Sequence, residues 1–229
     1  MFRGVFVTGT DTGVGKTVVC AALMHRYRSL RPGAGAGRST IRYWKPVQTG
    51  IERDDDTREV QRLGGCSPRE ILRDGVRLRG QLSPHLAARL SGVTIDVQTL
   101  LDALAAQPPS SRWIVEGAGG VLVPLNESEL MTDLMVHLAL PLVVVARTRL
   151  GTINHTLLTL EALAARSLVV AGVVMVGRRN LDNRRAIETY GRVRVIGELP
   201  RLDPLTPRAL ARWAASELDA AGRLQEWMR

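Results

Sequence analysis

Six short stretches of this chain are strand-like and largely apolar, several of them with no polar face: residues 4–8, 41–47, 113–115, 142–146, 169–176 and 193–199. Parallel strands buried on both faces read this way, because neither side of the pleat meets water. Helical patterning fills the gaps and predicts helices over 16–30, 57–63, 84–90, 97–106, 130–138, 153–165, 181–190 and 207–220. Strand and helix alternating in this order predicts an α/β fold, a doubly wound and mostly parallel sheet flanked by helices, with right-handed crossovers. The Gly/Ala stretch at 32–37 and the Pro-Pro-Ser-Ser turn at 108–111 are too short for linkers, and there is no internal repeat. The 229 residues are therefore read as one domain.

Hydrophobic residues make up 45% of the chain but aromatic ones only 4%, which leaves the core to Val, Leu, Ala and Ile. The formal charge is +9, from 31 Lys plus Arg against 22 acids. A basic balance fits nucleic acid or anionic small molecules. Here the arginines are scattered and no run interleaves them with aromatics, so they read as a solvated surface and no nucleic-acid partner is expected. Only two residues are lysines, Lys16 and Lys45, which singles both out. Cys20 and Cys66 suit neither a zinc site nor a disulfide framework, and His25, His85, His137 and His155 lack metal-ligand spacing. The start of the chain runs straight into a glycine loop, leaving no room for a signal peptide. No apolar run reaches the roughly 18 residues of a membrane span. A reducing, cytoplasmic setting is expected.

The first strand ends in Gly9-Thr10-Asp11-Thr12-Gly13-Val14-Gly15-Lys16-Thr17, and a helix begins there. Glycines let such a loop curl so that its N–H groups face a phosphate, and the helix N-terminus adds a positive dipole. Lys16 is placed to reach the β- and γ-phosphates, and the Thr17 hydroxyl to ligate Mg²⁺. The common phosphate-loop pattern would need Gly at position 10, where this chain has Thr10, so counted from Gly9 the loop is one residue too long by that measure. Lys45 lies at the carboxyl end of the second strand, where a doubly wound sheet binds its ligand; a plain surface lysine is the competing reading. Asp54-Asp55-Asp56 precede a helix and fit either a helix cap or a metal carboxylate. Glu116, ending a buried strand before Gly117-Ala118-Gly119-Gly120, has the geometry of a second metal carboxylate. Gly151 to Asn154 open a later helix, whose free N–H groups suit a carboxylate.

Taken in order, several segments closely resemble the dethiobiotin synthetase family. They are Val7 to Thr12 with Val14 to Thr17, Lys45-Pro46-Val47-Gln48-Thr49-Gly50, Asp56, Ser83-Pro84-His85, Val115 to Gly120, Leu150 to His155, and Gly197 to Pro200. They span nearly the whole chain, and the extra loop residue is the family's own form. The resemblance implies a P-loop NTPase-like fold and an ATP-dependent ligase of biotin biosynthesis. It implies that CO₂ forms a carbamate on 7,8-diaminononanoate, that ATP phosphorylates the carbamate, and that the second amine closes the ring with loss of phosphate. It further implies catalytic roles for Lys16 and Lys45, and Mg²⁺ held by Thr17, Asp56 and Glu116. ATP contacts fall on Gly13, Val14, Gly15, Lys16, Thr17, Val18, Asp56, Glu116, Gly117, Ala118 and Gly119, and near the base on Val176, Gly177, Pro200, Arg201 and Leu202. Thr12, Lys45 and Thr49 would hold the carbamate, and Gly151, Thr152, Ile153 and Asn154 of one subunit of a homodimer would hold the substrate carboxylate. Many family members place an Asn near the end of the strand that here reads Val174-Met175-Val176-Gly177.

Two rivals remain. Partition-type switch ATPases carry a second lysine five residues before the loop lysine, where this chain has Asp11. A glutamine-dependent amidoligase of the same ATPase class would need a glutaminase domain, for which 229 residues leave no space.

Overall fold

The computed structural model describes residues 2–28 and 40–228. The Gly/Ala loop at 32–37 and the end of the helix expected over 16–30 lie outside the described residues. In chain order the elements are β1 (Gly4–Gly9), α1 (Lys16–Tyr27), β2 (Ile41–Trp44), β3 (Val47–Gln48), α2 (Asp56–Leu63), a 3₁₀ turn (Pro68–Glu70), β4 (Ile71–Leu72) and β5 (Val76–Arg77). They continue with α3 (Pro84–Leu90), α4 (Val97–Ala105), β6 (Arg112–Glu116), α5 (Met131–Leu138), β7 (Leu142–Arg147) and α6 (Thr152–Ala164). The rest are β8 (Val170–Val176), α7 (Leu181–Gly191), β9 (Val195–Leu199), α8 (Pro207–Ser216) and α9 (Gln225–Met228).

Seven strands form one sheet in the order β4-β2-β6-β1-β7-β8-β9, and every pairing is parallel. The two-residue period of a strand explains why these segments are apolar throughout. Phe6, Trp113, Val115, Leu142, Val144 and Met175 face one layer, with apolar residues of α3, α4, α5, α6 and α7. Val5, Val7, Ile114, Val143, Val145 and Val174 face the other, with residues of α1, α2, α8 and α9. Helix α1 is buried on most of its circumference by small and branched side chains, Val19 to Met24, as expected of a helix packed between a sheet and other helices.

The order of strands reverses at β1, which lies between β6 and β7. The loops after β1, β6 and β7 therefore open onto one crevice at the carboxyl edge, the usual ligand position in such sheets. The run expected as one strand over 41–47 is broken. Pro46 has no N–H to give a ladder, and β2 stops at Trp44. Beyond the break, Pro46 O accepts from Val76 N at 2.8 Å, and β3 pairs with β5 in a separate two-stranded sheet. Lys45 thus leaves the main sheet at its carboxyl edge. The short strands β4 and β5 and helix α9 were not expected from the patterning. Two or four residues carry too little periodicity to be seen.

The far end of α1 is tied to the segment after α8. The Asp219 carboxylate, 1% exposed, accepts from the Tyr27 hydroxyl and from Arg223 N at 2.8 Å and Leu224 N at 2.9 Å. Burial and Asp219 push the Tyr27 phenol far above its usual range, so it stays a donor. Tyr27→Phe leaves a buried carboxylate short of one donor and should lower stability by about 1–3 kcal/mol, read as a lower urea midpoint with an unchanged slope. An unchanged midpoint would show that this bond adds nothing.

Candidate active site

The loop between β1 and α1 is set by two left-handed glycines, Gly13 at φ +66° and Gly15 at φ +104°. A side chain at Gly15 would also meet Val176 at 3.1 Å, so Val176 lies against the loop from the end of β8. Thr10 N donates to Val145 O at 3.0 Å, which pins the loop over β7. Asp11 accepts from Thr12 N at 2.6 Å. Lys16 turns back into this curl, and its ammonium donates to Asp11 O and Gly119 O, both at 2.9 Å. It therefore bridges the loops after β1 and β6.

Lys45 is 3% exposed and Glu116 0%. The Lys45 ammonium donates to Glu116 Oε1 at 2.8 Å and Gly117 O at 3.0 Å, and pairs with Asp56 Oδ2 at 2.7 Å. These three acceptors match its three N–H groups. Burial alone would lower its pKa, but Glu116 and Asp56 overcome that and hold it above the ordinary lysine value. Asp56 is affected in the opposite sense: burial would raise its pKa, and Lys45 keeps it below the usual carboxylate range. The Thr17 hydroxyl lies between the two acids, 2.7 Å from Asp56 Oδ1 and 3.0 Å from Glu116 Oε1. Three hard oxygen donors thus converge beside the loop, the donor type that suits Mg²⁺ with phosphate oxygens completing the shell. Among the described residues, no cluster of three or more His, Cys, Asp or Glu has a metal-binding arrangement.

The three consecutive acids divide their work. Asp55 caps α2, accepting from Arg58 N at 3.0 Å, and Asp56 is the first helical residue rather than the one before it. Asp54 lends its carbonyl to Gln48 Nε2 at 2.6 Å. Cap and site acid thus coexist in one triplet, which the sequence offered as alternatives. Lys45 is no surface lysine.

The structure brings Gly13, Val14, Gly15, Lys16, Thr17, Asp56, Glu116, Gly117 and Gly119 into direct contact or close neighbourhood. Ala118 sits in the same turn. Val18, Val176 and Leu202 pack against one apolar layer, with Gly177, Pro200 and Arg201 at the ends of the adjacent strands β8 and β9. Gly177 N donates to Leu199 O at 2.8 Å, which joins those two strand ends. The Thr12 and Thr49 hydroxyls have no hydrogen-bond partner among the described residues. Gly151, in a left-handed conformation, is the N-cap of α6, and the Thr152 hydroxyl donates inward to Arg147 O. Ile153 is half-exposed and Asn154 exposed. This cluster stands beyond β7, three places along the sheet from β2 and Lys45.

Three supporting residues went unnoticed in the sequence. Tyr43 donates to Glu116 Oε2 at 2.8 Å. Its place two residues before Lys45, the spacing that puts side chains on one face of an extended chain, was the signal. Arg77 donates to Lys45 O at 2.7 Å, but its strand was too short to read. Arg147 Nη2 donates to Thr12 O at 2.6 Å, and in the sequence it was one arginine among many.

Lys16 carries a pH dependence. Burial, then Lys45 nearby, bring its pKa down from 10.5 to about 8. Above that value Lys16 is neutral and must take up a proton to meet a phosphate. ADP affinity is therefore expected to fall as pH rises past about 8, approaching about tenfold per pH unit. Calorimetric titration from about pH 7 to about pH 9.5 checks this. A flat profile would mean that Lys16 does not meet the phosphate.

A family model described as an AAA domain matches residues 3–209. The ATP-dependent dethiobiotin synthetase BioD of Agrobacterium fabrum is 45% identical over 219 residues, 96% of each chain. That of Nitrobacter hamburgensis is 46% identical over 206 residues, 90% of each chain. Among solved structures, a ParA family ATPase from Chlorobium tepidum TLS matches with a TM-score of 0.54 at 11% identity, covering 99% of this chain and 97% of that one. The MinC:MinD cell division protein complex of Aquifex aeolicus gives 0.55 at 13%, covering 98% and 96%. At such identities these two structures speak to the fold alone. Sequence identity near one half, sustained along nearly the full length of both chains, goes further: the chain belongs to the family of ATP-dependent dethiobiotin synthetases.

Proposed function

We propose that this protein makes dethiobiotin from 7,8-diaminononanoate, CO₂ and ATP, releasing ADP and phosphate. The observation that carries the reading is the convergence of the chain's two lysines on the loop Glu116 to Gly119, next to the phosphate loop. The reaction must bring two anions together, a carbamate and a triphosphate, and fixed cations in a water-poor crevice offset that repulsion.

One amine of the substrate adds to CO₂ and loses a proton, giving the carbamate. A carbamate oxygen attacks the γ-phosphorus, and the bond to the β–γ bridging oxygen breaks, with ADP leaving. The second amine then attacks the carbamoyl carbon, phosphate leaves with the bonding pair, and loss of a proton completes the ureido ring. Lys16 holds the β- and γ-phosphates together with the N–H groups of Gly13 to Val18. Lys45 and the open hydroxyls of Thr12 and Thr49 hold the carbamate. Gly117, Ala118 and Gly119 border the triphosphate, and Val176, Gly177, Pro200, Arg201 and Leu202 border the base. Thr17, Asp56 and Glu116 fit Mg²⁺, which when bound supplies further positive charge to the phosphates.

We read the enzyme as a homodimer in which Gly151, Thr152, Ile153 and Asn154 of one subunit take the substrate carboxylate beside the other's nucleotide. Leu150, fully exposed next to them, would be covered by such a partner. One seven-stranded sheet that takes in both the first and the last strand of the chain supports a single domain. The free, buried thiols of Cys20 and Cys66 fit a reducing cytoplasm. Asp11, an acid bonded to the loop itself, stands where a switch ATPase carries its extra lysine, which favours the ligase.

Phosphate release from ATP is expected only when diaminononanoate and bicarbonate are both present; equal release without the diamine would make the protein a simple ATPase. Lys45→Ala should cut turnover on the order of 10²-fold with a smaller effect on ATP binding. Mixing Lys45→Ala with Asn154→Ala subunits should restore part of the activity, because one of the two sites in a mixed dimer is whole. No recovery despite proven subunit exchange would place each site within one chain.

A further inference from the structure

The crevice holds a third cation that neither the family resemblance nor the matched names assign. Arg147 is the last residue of β7. Its register is fixed from both sides: Gly9 of β1 pairs with Val145 and Val176 of β8 pairs with Arg147 itself, and Thr10 N donates to Val145 O at 3.0 Å. The phosphate loop is thereby carried over the end of β7, where the Arg147 side chain rises to meet it. Arg147 Nη2 donates to Thr12 O at 2.6 Å. A Cβ on Gly13 would lie 3.3 Å from the same nitrogen, so the glycine leaves room for the guanidinium as well as permitting the turn.

Two features leave the Arg147 guanidinium open to a ligand beside the phosphate loop. The bond to Thr12 O is the one hydrogen bond of its side chain among the described residues, and a guanidinium has five N–H donors. No described carboxylate lies within 4.0 Å of it, whereas Arg179 and Arg184, beyond β8, are paired with Glu217 and Glu198. A cation with spare donors and no counter-ion, resting on an anion-binding loop, is matched by an anion. The loop shows which one. Lys16 and Arg147 grip successive carbonyls, Asp11 O and Thr12 O. Lys16 comes from inside the curl and Arg147 from the β7 side.

The geometry points to Arg147 as a catalytic residue supplied in cis. It keeps its hold on Thr12 and turns its remaining N–H groups to the oxygens of the γ-phosphoryl group during transfer to the carbamate. Charge on those oxygens is then met from opposite sides by Lys16 and Arg147. The planar fork of arginine suits two phosphoryl oxygens at once, which a lysine cannot match. This inference rests on the ligase reading for its acceptor but on the phosphate loop alone for its position.

The test compares wild type, Arg147→Ala and Arg147→Lys in two measurements. One is phosphate release with ATP, diaminononanoate and bicarbonate. The other is binding of ADP alone and of ADP with aluminium fluoride, a mimic of the phosphoryl group in flight, without diamine. Both variants should lose on the order of 10²-fold or more in kcat and a similar factor in affinity for the fluoride complex. Affinity for ADP alone, which also reports that the variants are folded, should stay within about threefold. Added guanidinium should restore part of the Arg147→Ala turnover. An unchanged kcat overturns the proposal. So does an equal loss of affinity for ADP with and without fluoride, which would make Arg147 a brace for the loop. Normal fluoride-complex binding with lost turnover also overturns it, by moving Arg147 from the phosphoryl group to the carbamate. If wild type releases no phosphate even with both co-substrates, the ligase reading fails, and the fluoride arm still decides the role of Arg147.

Discussion

Removing an ammonium and a carboxylate from water costs several kcal/mol for each ion, and only close pairing with every remaining donor and acceptor matched offsets that. Lys45 and Glu116 are such a pair, and the crevice is organised around satisfying them. Glu116 needs Tyr43 for one oxygen and Lys45 with Thr17 for the other. Lys45 needs Asp56, which obliges α2 to begin where it does. Removing either partner strands a charge in the interior, so these positions are fixed by each other before any substrate is considered. The same pairing explains why Asp56 and Lys45 resist titration in opposite directions.

Much of this was legible in the sequence, for identifiable reasons. Strands buried on both faces produce unbroken apolar runs, so the central strands were visible. The phosphate loop was visible because glycine, lysine and threonine are each required at fixed offsets. Lys45 stood out through lysine scarcity. The missed features depend on distance across the sheet rather than along the chain. Pro46 diverts the second strand into a separate pair with β5, and nothing local announces that Val76–Arg77 will meet it. The division of labour between Asp55 and Asp56 follows from one residue of helix phase, finer than patterning resolves. Arg147 gains its meaning only from the register of β7 against β1.

The likeness to ParA and MinD structures is one of frame alone. The sheet order places three loops at one edge, and the side chains mounted there decide the outcome. In this chain the loop after β6 offers carbonyls, Gly117 O and Gly119 O, to both lysines. The backbone therefore sets the spacing of the two ammonium groups, a more rigid arrangement than side chains alone would give.

The position of β1 has a consequence for how the chain is made. Its two sheet neighbours come from much later in the sequence, Trp113 beside Gly4 and Leu142 beside Phe6. The lock on α1 reaches further, since Tyr27 and Asp219 are 192 residues apart. A ribosome delivers residues in order, so β1 and the apolar surface of α1 emerge long before anything can cover them. Contacts of such sequence separation form slowly, and exposed strand edges invite association between nascent chains. The phosphate loop is made long before β7, so its anchors Val145 O and Arg147 reach it only once β7 has been synthesised.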